Sequence, residues 1–406
     1  MFSLAYNNIF NRHSCKYYAV GLVFVLVIIA FCVGLNTQPS YALDVENQLK
    51  DSIENQLSNL NLTDIEQFIA GLKLTGEELF SGSFLDNIKN VINGTTSFDY
   101  VDFFSYVIRV VFDDILEYIP LLSIIVVVCI ICSFVGHLSP DGQGDKINKV
   151  IYFACFSLVA VMVFSAFKGL LENTTVALNS IKTQMQLVFP ILLTLITSIG
   201  SIVTVSTFQP AVVLLTSTVS SLITSLLVPL FLFSFVFNIV GNLSSNVKLE
   251  KCSKFIFSLF KWILGAVVAV FMTVLSLQGI MASVTDSISI KTTKFALKSY
   301  VPIVGGFVSD GLGLLVASGV LIKNAVGLTG LLVLGSTIIV PVVEIAIFSL
   351  GLKLVSAVVE PLSNNNMANF LYNSSKCLNM LVACVVCMGF MYILTVGLMM
   401  CTSNII

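Results

Sequence analysis

Among the charged side chains within apolar stretches of this chain, two carboxylates and one amine are the candidates for chemistry. Asp310 lies about eight residues after a proline, and Glu344 lies about eight residues before the end of the next apolar stretch. A charge at membrane depth is costly unless it is paired or hydrated. We therefore expect Asp310 and Glu344 to serve either structural hydrogen bonding or an aqueous path with a proton-coupled step. An antiparallel hairpin would place both at similar depth, with Lys323 nearer the turn and able to extend to the membrane surface.

Small residues follow the proline at helical spacing. Gly305, Ser309, Gly313 and Ala317 recur every four residues and predict one small-residue face, against which another helix packs closely. The alternative is that this face lines a pore or forms a hinge. The proline, which removes a backbone donor, suits the start of a re-entrant or broken segment. The candidate pathway or packing residues are Asp310, Glu344, Lys323, Pro302, Gly305, Gly306, Ser309 and Gly313.

Little in the chain supports enzyme chemistry. The two histidines, His13 and His137, are too few for a histidine-based triad or a zinc cluster. Two C-x-x-C pairs lie in apolar helices without a flanking histidine, which favours packing thiols over redox or metal sites. These pairs are Cys129 with Cys132 and Cys384 with Cys387. We predict no catalytic residue, no cofactor and no metal.

Composition predicts an all-α polytopic membrane protein. Of 406 residues 57% are hydrophobic and 10% are charged, and the mean hydropathy is +0.99, well above that of a globular domain. Eight apolar stretches are each about 20 residues or longer, enough to cross a bilayer as a helix. They lie at about 118–137, 150–171, 187–207, 211–240, 255–281, 302–326, 328–352 and 377–402. We predict about eight transmembrane or re-entrant helices.

The first 42 residues are typical of a signal peptide. Arg12 and Lys16 precede the apolar stretch 19–33, and Ser40 and Ala42 fit the small residues before a cleavage site. The alternative is an uncleaved anchor helix, and in either case the next segment begins outside the cytoplasm. With eight spans, lysines fall on both sides of the membrane. Lysines 146 and 149 are predicted on one side, and lysines 248, 251 and 254 on the other. Orientation therefore rests mainly on the signal peptide.

Residues 43–115 are predicted to form an acidic extracytoplasmic helical segment. From Leu43 to Asp114 there are thirteen acidic and four basic residues, a net charge near −9. Thr63 with Glu66 and Thr75 with Glu78 match the capping-box pattern, so several short amphipathic helices are expected. The stretch "FDYVDFFSYVIRVVFDDILEYIP" mixes aromatic and charged residues, which favours a helix at the lipid–water boundary. A small helical domain that caps the membrane part is an equal alternative.

The membrane part shows a possible internal repeat at an offset of 112 residues. At this offset Lys182 aligns with Lys294, Pro190 with Pro302, and Pro229 with Pro341. Two units of three spans would be inverted relative to each other, as in many transport folds, whereas chance similarity of apolar sequence is the alternative. The predicted order is a first transmembrane hairpin at 116–175, repeat A at 176–285 and repeat B at 286–406.

Several motifs in this order resemble the stage III sporulation protein AE family of endospore-forming bacteria. They are "LTGEELFSGSFLDNI", a lysine-bearing turn before "VFP", "KTTKFALKSYVPIVGGFVSDGLG", "LIKNAVG" and "VVEPL". The most specific part runs from Lys291 to Gly327, and the likeness covers nearly the whole chain. No catalytic residues are assigned to that family.

The resemblance implies a permease-like membrane subunit of the channel that connects mother cell and forespore and that forespore development needs. It also implies a place in the mother-cell membrane surrounding the forespore. The implied partners are membrane proteins of the same complex, including a secretion-type ATPase and ring-forming subunits, together with the lipid bilayer and no nucleic acid. The alternatives are a stand-alone secondary transporter, in which Asp310 and Glu344 couple transport, and a non-conducting membrane scaffold.

Overall fold

The computed structural model describes residues 43–58, 60, 62–71, 83–94, 100–137, 144–243, 250–300, 304–361 and 365–402. Within these ranges the side chains of 279–300 and 304–312, and those of a few other residues, are outside the description. The described part is helical throughout and contains no strand. Its elements are α1 (Leu43–Ser58), α2 (Thr63–Gly71), α3 (Phe84–Ile92), α4 (Tyr100–His137), α5 (Gly144–Ser198), α6 (Ile202–Leu222), a π-helical segment (Ile223–Leu227), α7 (Val228–Leu243), α8 (Glu250–Tyr300), α9 (Val304–Val359) and α10 (Asn365–Cys401).

Helix α9 is the centre of a long bundle. Helix α10 runs antiparallel to it, because Ser349 donates to the Ser375 carbonyl at 3.1 Å and Ser356 donates to the Ala368 carbonyl at 2.8 Å. Helix α5 is also antiparallel to α9, because Asn173 contacts Glu344 whereas Gln184 donates to the Gly330 carbonyl at 3.0 Å. Helix α4 is parallel to α9, because Tyr118 contacts Glu344 and Leu122 lies against Gly351. The 56 residues of α9 span about 84 Å at a rise of about 1.5 Å per residue. This length is far greater than the thickness of a bilayer.

The helices are fewer and longer than the eight predicted spans. Six helical stretches are long and apolar enough to cross a membrane within the described part of the chain. They are Ser105–Phe134, Lys149–Ser198, Phe208–Leu243, Lys251–Gln278, Gly313–Val359 and Asn366–Cys401. The predicted hairpin between 302–326 and 328–352 is wrong, because one continuous helix covers 304–359. Gly327, the residue between those two stretches, packs inside the bundle against Met400 and Val396 instead of forming a turn.

A single sharp break separates α5 from α6. At this break Gly200 adopts a φ of 96°, a left-handed conformation that glycine tolerates and other residues rarely adopt. The proposed repeat would place an equivalent break near 311–313, where α9 continues as helix. Pro190 lies inside α5, whereas Pro302 lies outside the described residues. The helix boundaries thus do not follow the 112-residue offset, and the inverted repeat stays a prediction.

The helix ends form two opposite ends of the bundle. At one end Gln56 of α1 donates to Ser318 at 2.7 Å, so α1 packs beside the first part of α9. The end of α10 is there too, because Thr402 accepts from the nearby Lys323. At the other end Tyr152 donates to the Asn242 carbonyl at 3.0 Å, which joins the start of α5 to the end of α7.

This second end corrects the predicted distribution of lysines. Helix α8 begins only seven residues after α7 ends, so it starts at the same end as α5. The segments that carry lysines 146 and 149 and lysines 251 and 254 therefore lie on one side, not on opposite sides. The reason is that α5 spans the bundle once, where two spans were predicted.

The helices α1 to α3 form a small apolar cluster against the first end. Ile53, Leu57 and Ile65 are buried there, as are Phe84 and Ile88. Helix α3 begins with a capping box, but it joins Ser83 to Asp86 and was not selected from the sequence. The predicted box at Thr75 and Glu78 lies outside the described residues.

Candidate functional site

Glu344 is the centre of a polar cluster where α4, α5 and α9 meet. Tyr118 of α4 donates a hydrogen bond to Glu344 Oε1 at 2.9 Å. Asn173 of α5 donates through Nδ2 to both carboxylate oxygens, at 3.0 and 3.1 Å. Tyr118 is largely buried and its ring packs on Phe348, with centroids 4.9 Å apart. The cluster therefore fixes the direction of one carboxylate between three long helices.

A second carboxylate lies beside this cluster. Asp114 precedes Tyr118 by one helical turn and is close enough to Glu344 for electrostatic repulsion. Its Oδ2 atom is buried and has no hydrogen-bond partner among the described residues. Asp114 was not among the residues selected from the sequence, although it and Tyr118 stand at the (i, i+4) spacing that places both on one face of a helix.

Further charged side chains surround the cluster at the bundle surface. Lys168 and Glu172 form an ion pair at 3.7 Å along α5 and are 68% and 66% exposed. Asp113 and Glu117 are exposed on α4. Because exposed ion pairs contribute little stability, these residues are better understood as a hydrated polar surface than as a clamp on the bundle.

Lys323 lies far from this cluster. It is fully buried and donates to the carbonyl of Thr402, immediately after the end of α10. The carbonyl end of a helix carries partial negative charge, so an ammonium group there is electrostatically favoured. The expectation that Lys323 lies near a turn and reaches the membrane surface is wrong, because there is no turn and the side chain is enclosed.

Asp310 is separated from Glu344 by 34 positions of continuous helix. At a rise of about 1.5 Å per residue this is about 51 Å along the axis, so the predicted common depth of the two carboxylates is wrong. The side chains of Asp310 and Ser309 lie outside the described residues, as does the whole of Pro302. Gly305 and Gly306 belong to the helical backbone of α9, but their surroundings are also outside the description.

Close packing at glycines occurs further along α9 than predicted. A Cβ atom added to Gly313 would meet no described atom within 4 Å. A Cβ atom added to Gly330, by contrast, would lie 2.8 Å from Tyr392 Oη, and one added to Gly319 would lie 2.8 Å from Ile199. Four glycines of α9 allow close approach. Gly319 lies against Ile199, just after α5, and Gln56 of α1, and Gly327 lies against α10. Gly330 lies against both α5 and α10, and Gly351 against α4. A four-residue spacing alone did not identify them.

The chemistry available at the Glu344 cluster is that of paired carboxylates. Glu344 accepts hydrogen bonds from a phenol and an amide, which orient the carboxylate without cancelling its charge. The second carboxylate, that of Asp114, lies on the neighbouring helix α4. Among the described residues no group of three histidine, cysteine or acidic side chains is arranged to hold a metal ion. Both C-x-x-C pairs are buried as free thiols.

The chain has recognisable relatives. A model of the stage III sporulation protein AE family matches residues 83–403, which include α3 to α10. The chain is also similar to stage III sporulation protein AE of Bacillus subtilis (strain 168), with 23% identity over 319 residues. That alignment covers 79% of this chain and 80% of the relative. No solved structure matches the chain.

Proposed function

This chain belongs to the stage III sporulation protein AE family, and we propose that it is a permease-like membrane subunit of a channel or secretion complex connecting mother cell and forespore. Family membership supports a role in sporulation, and the six apolar helices make it a multi-pass membrane protein. The observation that carries the proposal is the family match, because it covers all six helices in one alignment. The resemblance of Lys291 to Gly327 to the family motifs supports the same assignment.

The proposed location is the mother-cell membrane around the forespore, with α1 to α3 outside the mother-cell cytoplasm. The proposed partners are the other membrane proteins of the complex, including a secretion-type ATPase and ring-forming subunits. The bundle has two distinct ends, one bearing α1 to α3 and one bearing short connections and lysines. This polarity suits a subunit that contacts different partners on the two sides of a membrane.

The Glu344 cluster is the proposed functional site of this subunit. It joins three helices that each extend along the bundle, so a change in the charge of Glu344 acts on the contact between α4, α5 and α9. The neighbouring Asp114 supplies the second carboxylate, a role that sequence analysis gave to Asp310. A stand-alone secondary transporter is the second candidate function, because a carboxylate pair at a helix junction is also suited to ion coupling.

The test replaces the chromosomal gene in the sporulating host. Glu344→Gln keeps an oxygen acceptor for Tyr118 but removes the charge, and Glu172→Gln removes a charge from an exposed ion pair as the matched control. We expect Glu344→Gln to reduce heat-resistant spores and late forespore transcription at normal protein level, with Glu172→Gln close to wild type. Normal sporulation in both variants would refute the role of the cluster, as a pure scaffold would tolerate them.

A separate experiment distinguishes the two functions. A channel subunit should co-purify with an ATPase and ring-forming proteins from sporulating cells, and its gene should lie beside theirs. A stand-alone transporter should move a solute when purified and placed alone in liposomes. Transport by the purified protein without partners would replace the channel proposal with the transporter.

Asp310 is tested in the same host. We propose that its carboxylate faces the protein interior or a water-filled cavity, because a charged side chain in an apolar stretch needs a partner or water. Asp310→Asn should then leave the amount of protein unchanged and lower sporulation. Normal sporulation at normal protein level would make this carboxylate structural.

A further inference from the structure

The exposed face of α5 changes character near Lys168. Between Lys149 and Lys168 the large exposed side chains are apolar, and beyond Lys168 they are mostly charged groups, amides and hydroxyls. The exposed apolar side chains before it are Val150, Phe153, Leu158, Val161 and Phe164. The exposed polar ones from it onward are Lys168, Glu172, Asn173, Asn179, Gln186, Thr194, Thr197 and Ser198, with Val176 as the one large aliphatic side chain among them.

Two further helices change in the same way. On α4 the exposed residues Arg109, Asp113 and Glu117 alternate with apolar ones, and after Tyr118 no exposed charge follows in the residues whose side chains are described, up to 134. On α6 hydroxyl groups share the exposed face with leucine and valine, whereas on α7 the exposed residues are all apolar. The exposed hydroxyl residues of α6 and the π-helical segment include Ser217, Thr218, Ser221 and Ser225, and the exposed residues of α7 are Leu232, Phe233, Val236 and Val240.

These three transitions lie at one level of the bundle. Tyr118 of α4 and Asn173 of α5 both contact Glu344, and they flank the change on their own helices. Phe167, next to Lys168, stacks on Phe231 of α7 with ring centroids 5.7 Å apart. The polar side chains of these helices thus lie at one level, named here the Lys168 ring, and a belt with mainly apolar exposed side chains lies on one side of it.

The belt has the thickness of a bilayer interior. From Lys168 to Lys149 there are 19 positions of α5, about 29 Å at a rise of about 1.5 Å per residue. The hydrocarbon core of a bilayer is about 30 Å thick. The border opposite the ring carries exposed Lys149, Lys251 and Lys254 beside one exposed carboxylate, Glu360, an excess of lysine that is typical of a cytoplasmic surface.

Two lysines within the belt lean toward that same border. Lys261 places its amine 4.2 Å from the ring centre of Phe257, one turn nearer the start of α8. Lys376 places its amine 4.1 Å from the ring centre of Tyr372, one turn nearer the start of α10. Both helices start at the lysine-rich end, so both side chains extend toward it, as lysines in a lipid interior do.

We propose that lipid acyl chains cover only the belt between the Lys168 ring and the lysine-rich end. Six helices (α4, α5, α7, α8, α9 and α10) then cross the bilayer there. The rest of the bundle projects from the extracytoplasmic surface together with α1 to α3. From Lys168 to Ser198 this projection measures about 45 Å at about 1.5 Å per residue. The inference rests on the distribution of exposed side chains and does not depend on the sporulation role.

The experiment compares two exposed positions on the same helix. Val161→Cys lies in the belt and Gln186→Cys in the projecting half, and each is made in a chain whose exposed Cys252 and Cys401 are serine. The full-length protein is labelled with bimane and placed in phosphatidylethanolamine–phosphatidylglycerol vesicles. Quenching is measured with doxyl-labelled lipid and with aqueous iodide. Val236→Cys and Ser221→Cys give the same comparison on α7 and α6.

We expect lipid to quench the two belt labels several-fold more than the two outer labels, and iodide to show the reverse order. Equal lipid quenching at Val161→Cys and Gln186→Cys would overturn the proposal, because the whole bundle would then be embedded. A belt label protected from both quenchers would also overturn it, since protein, such as a second copy, would then cover the belt. Only monodisperse labelled variants are compared, so that misfolded protein does not contribute.

Discussion

The hydrogen bond from Tyr118 to Glu344 gives the sharpest quantitative test of the candidate site. Tyr118→Phe removes one hydroxyl group and keeps the ring that packs on Phe348. A hydrogen bond to a charged group contributes about 1.5–3 kcal/mol, so the free energy of unfolding should fall by about 2 kcal/mol. The measurement is the unfolding of purified protein in mixed micelles of increasing SDS content.

Tyr392→Phe is the matched control. Tyr392 is also buried, but its hydroxyl has no hydrogen-bond partner among the described residues. Removing an unpaired buried hydroxyl relieves its desolvation cost, so this variant should be as stable as the wild type or more stable. If Tyr118→Phe is no less stable than Tyr392→Phe, Glu344 is not held as the geometry indicates. A loss at Tyr392 alone would show that its hydroxyl binds a water.

Three further predictions concern packing, buried charge and topology. Gly330→Ala should lower the free energy of unfolding by about 1–3 kcal/mol, because the added Cβ would lie 2.8 Å from Tyr392 Oη. Gly335→Ala should be neutral or stabilising, because its added Cβ would meet no described atom within 4 Å. Unfolding in SDS measures both variants. Lys323→Glu should sharply reduce the yield of folded protein, since it brings a negative charge to the carbonyl end of α10. Lys323→Met should reduce that yield much less, and equal yields of the two variants would contradict the prediction. Reporter fusions should place residues 43–114 and Ile406 outside the cytoplasm and 138–143 inside, and a cytoplasmic tail would show an odd number of crossings.

Composition and hydropathy were sufficient for the class of fold. The all-helical membrane architecture and the helices in the segment 43–94 agree with the structure, because both follow from properties of single residues and short periods. The number of spans did not follow. Polar stretches such as "ENTTVALNSIKTQMQ" were interpreted as connections between spans, although they lie inside α5. A polar segment ends a transmembrane span, but it does not end a helix.

The candidate site was predicted only in part. Glu344 was selected from the sequence as a charged residue in an apolar context, and its contacts with Tyr118 and Asn173 were not predicted. Those partners are 226 and 171 positions away, and no local pattern encodes a contact at such a distance. The pairing with Asp310 failed because it assumed a turn at Gly327, where tertiary packing against Met400 keeps the helix continuous.

The same limit explains why hydropathy alone misplaces the membrane. A residue in a long bundle is apolar either because it faces lipid or because it faces another helix, and a window average does not separate the two. Helix α9 has an apolar sequence over 313–359. Its large exposed side chains from 350 onward lie in the belt, whereas much of the helix before them is apolar because it is enclosed by α5 and α10. Only the exposed side chains indicate whether lipid or water surrounds a helix, and on α5 they change from apolar to polar at Lys168. The extent of lipid contact is therefore a property of the assembled bundle, which is why the quenching pair on α5 tests it more directly than any count of apolar stretches.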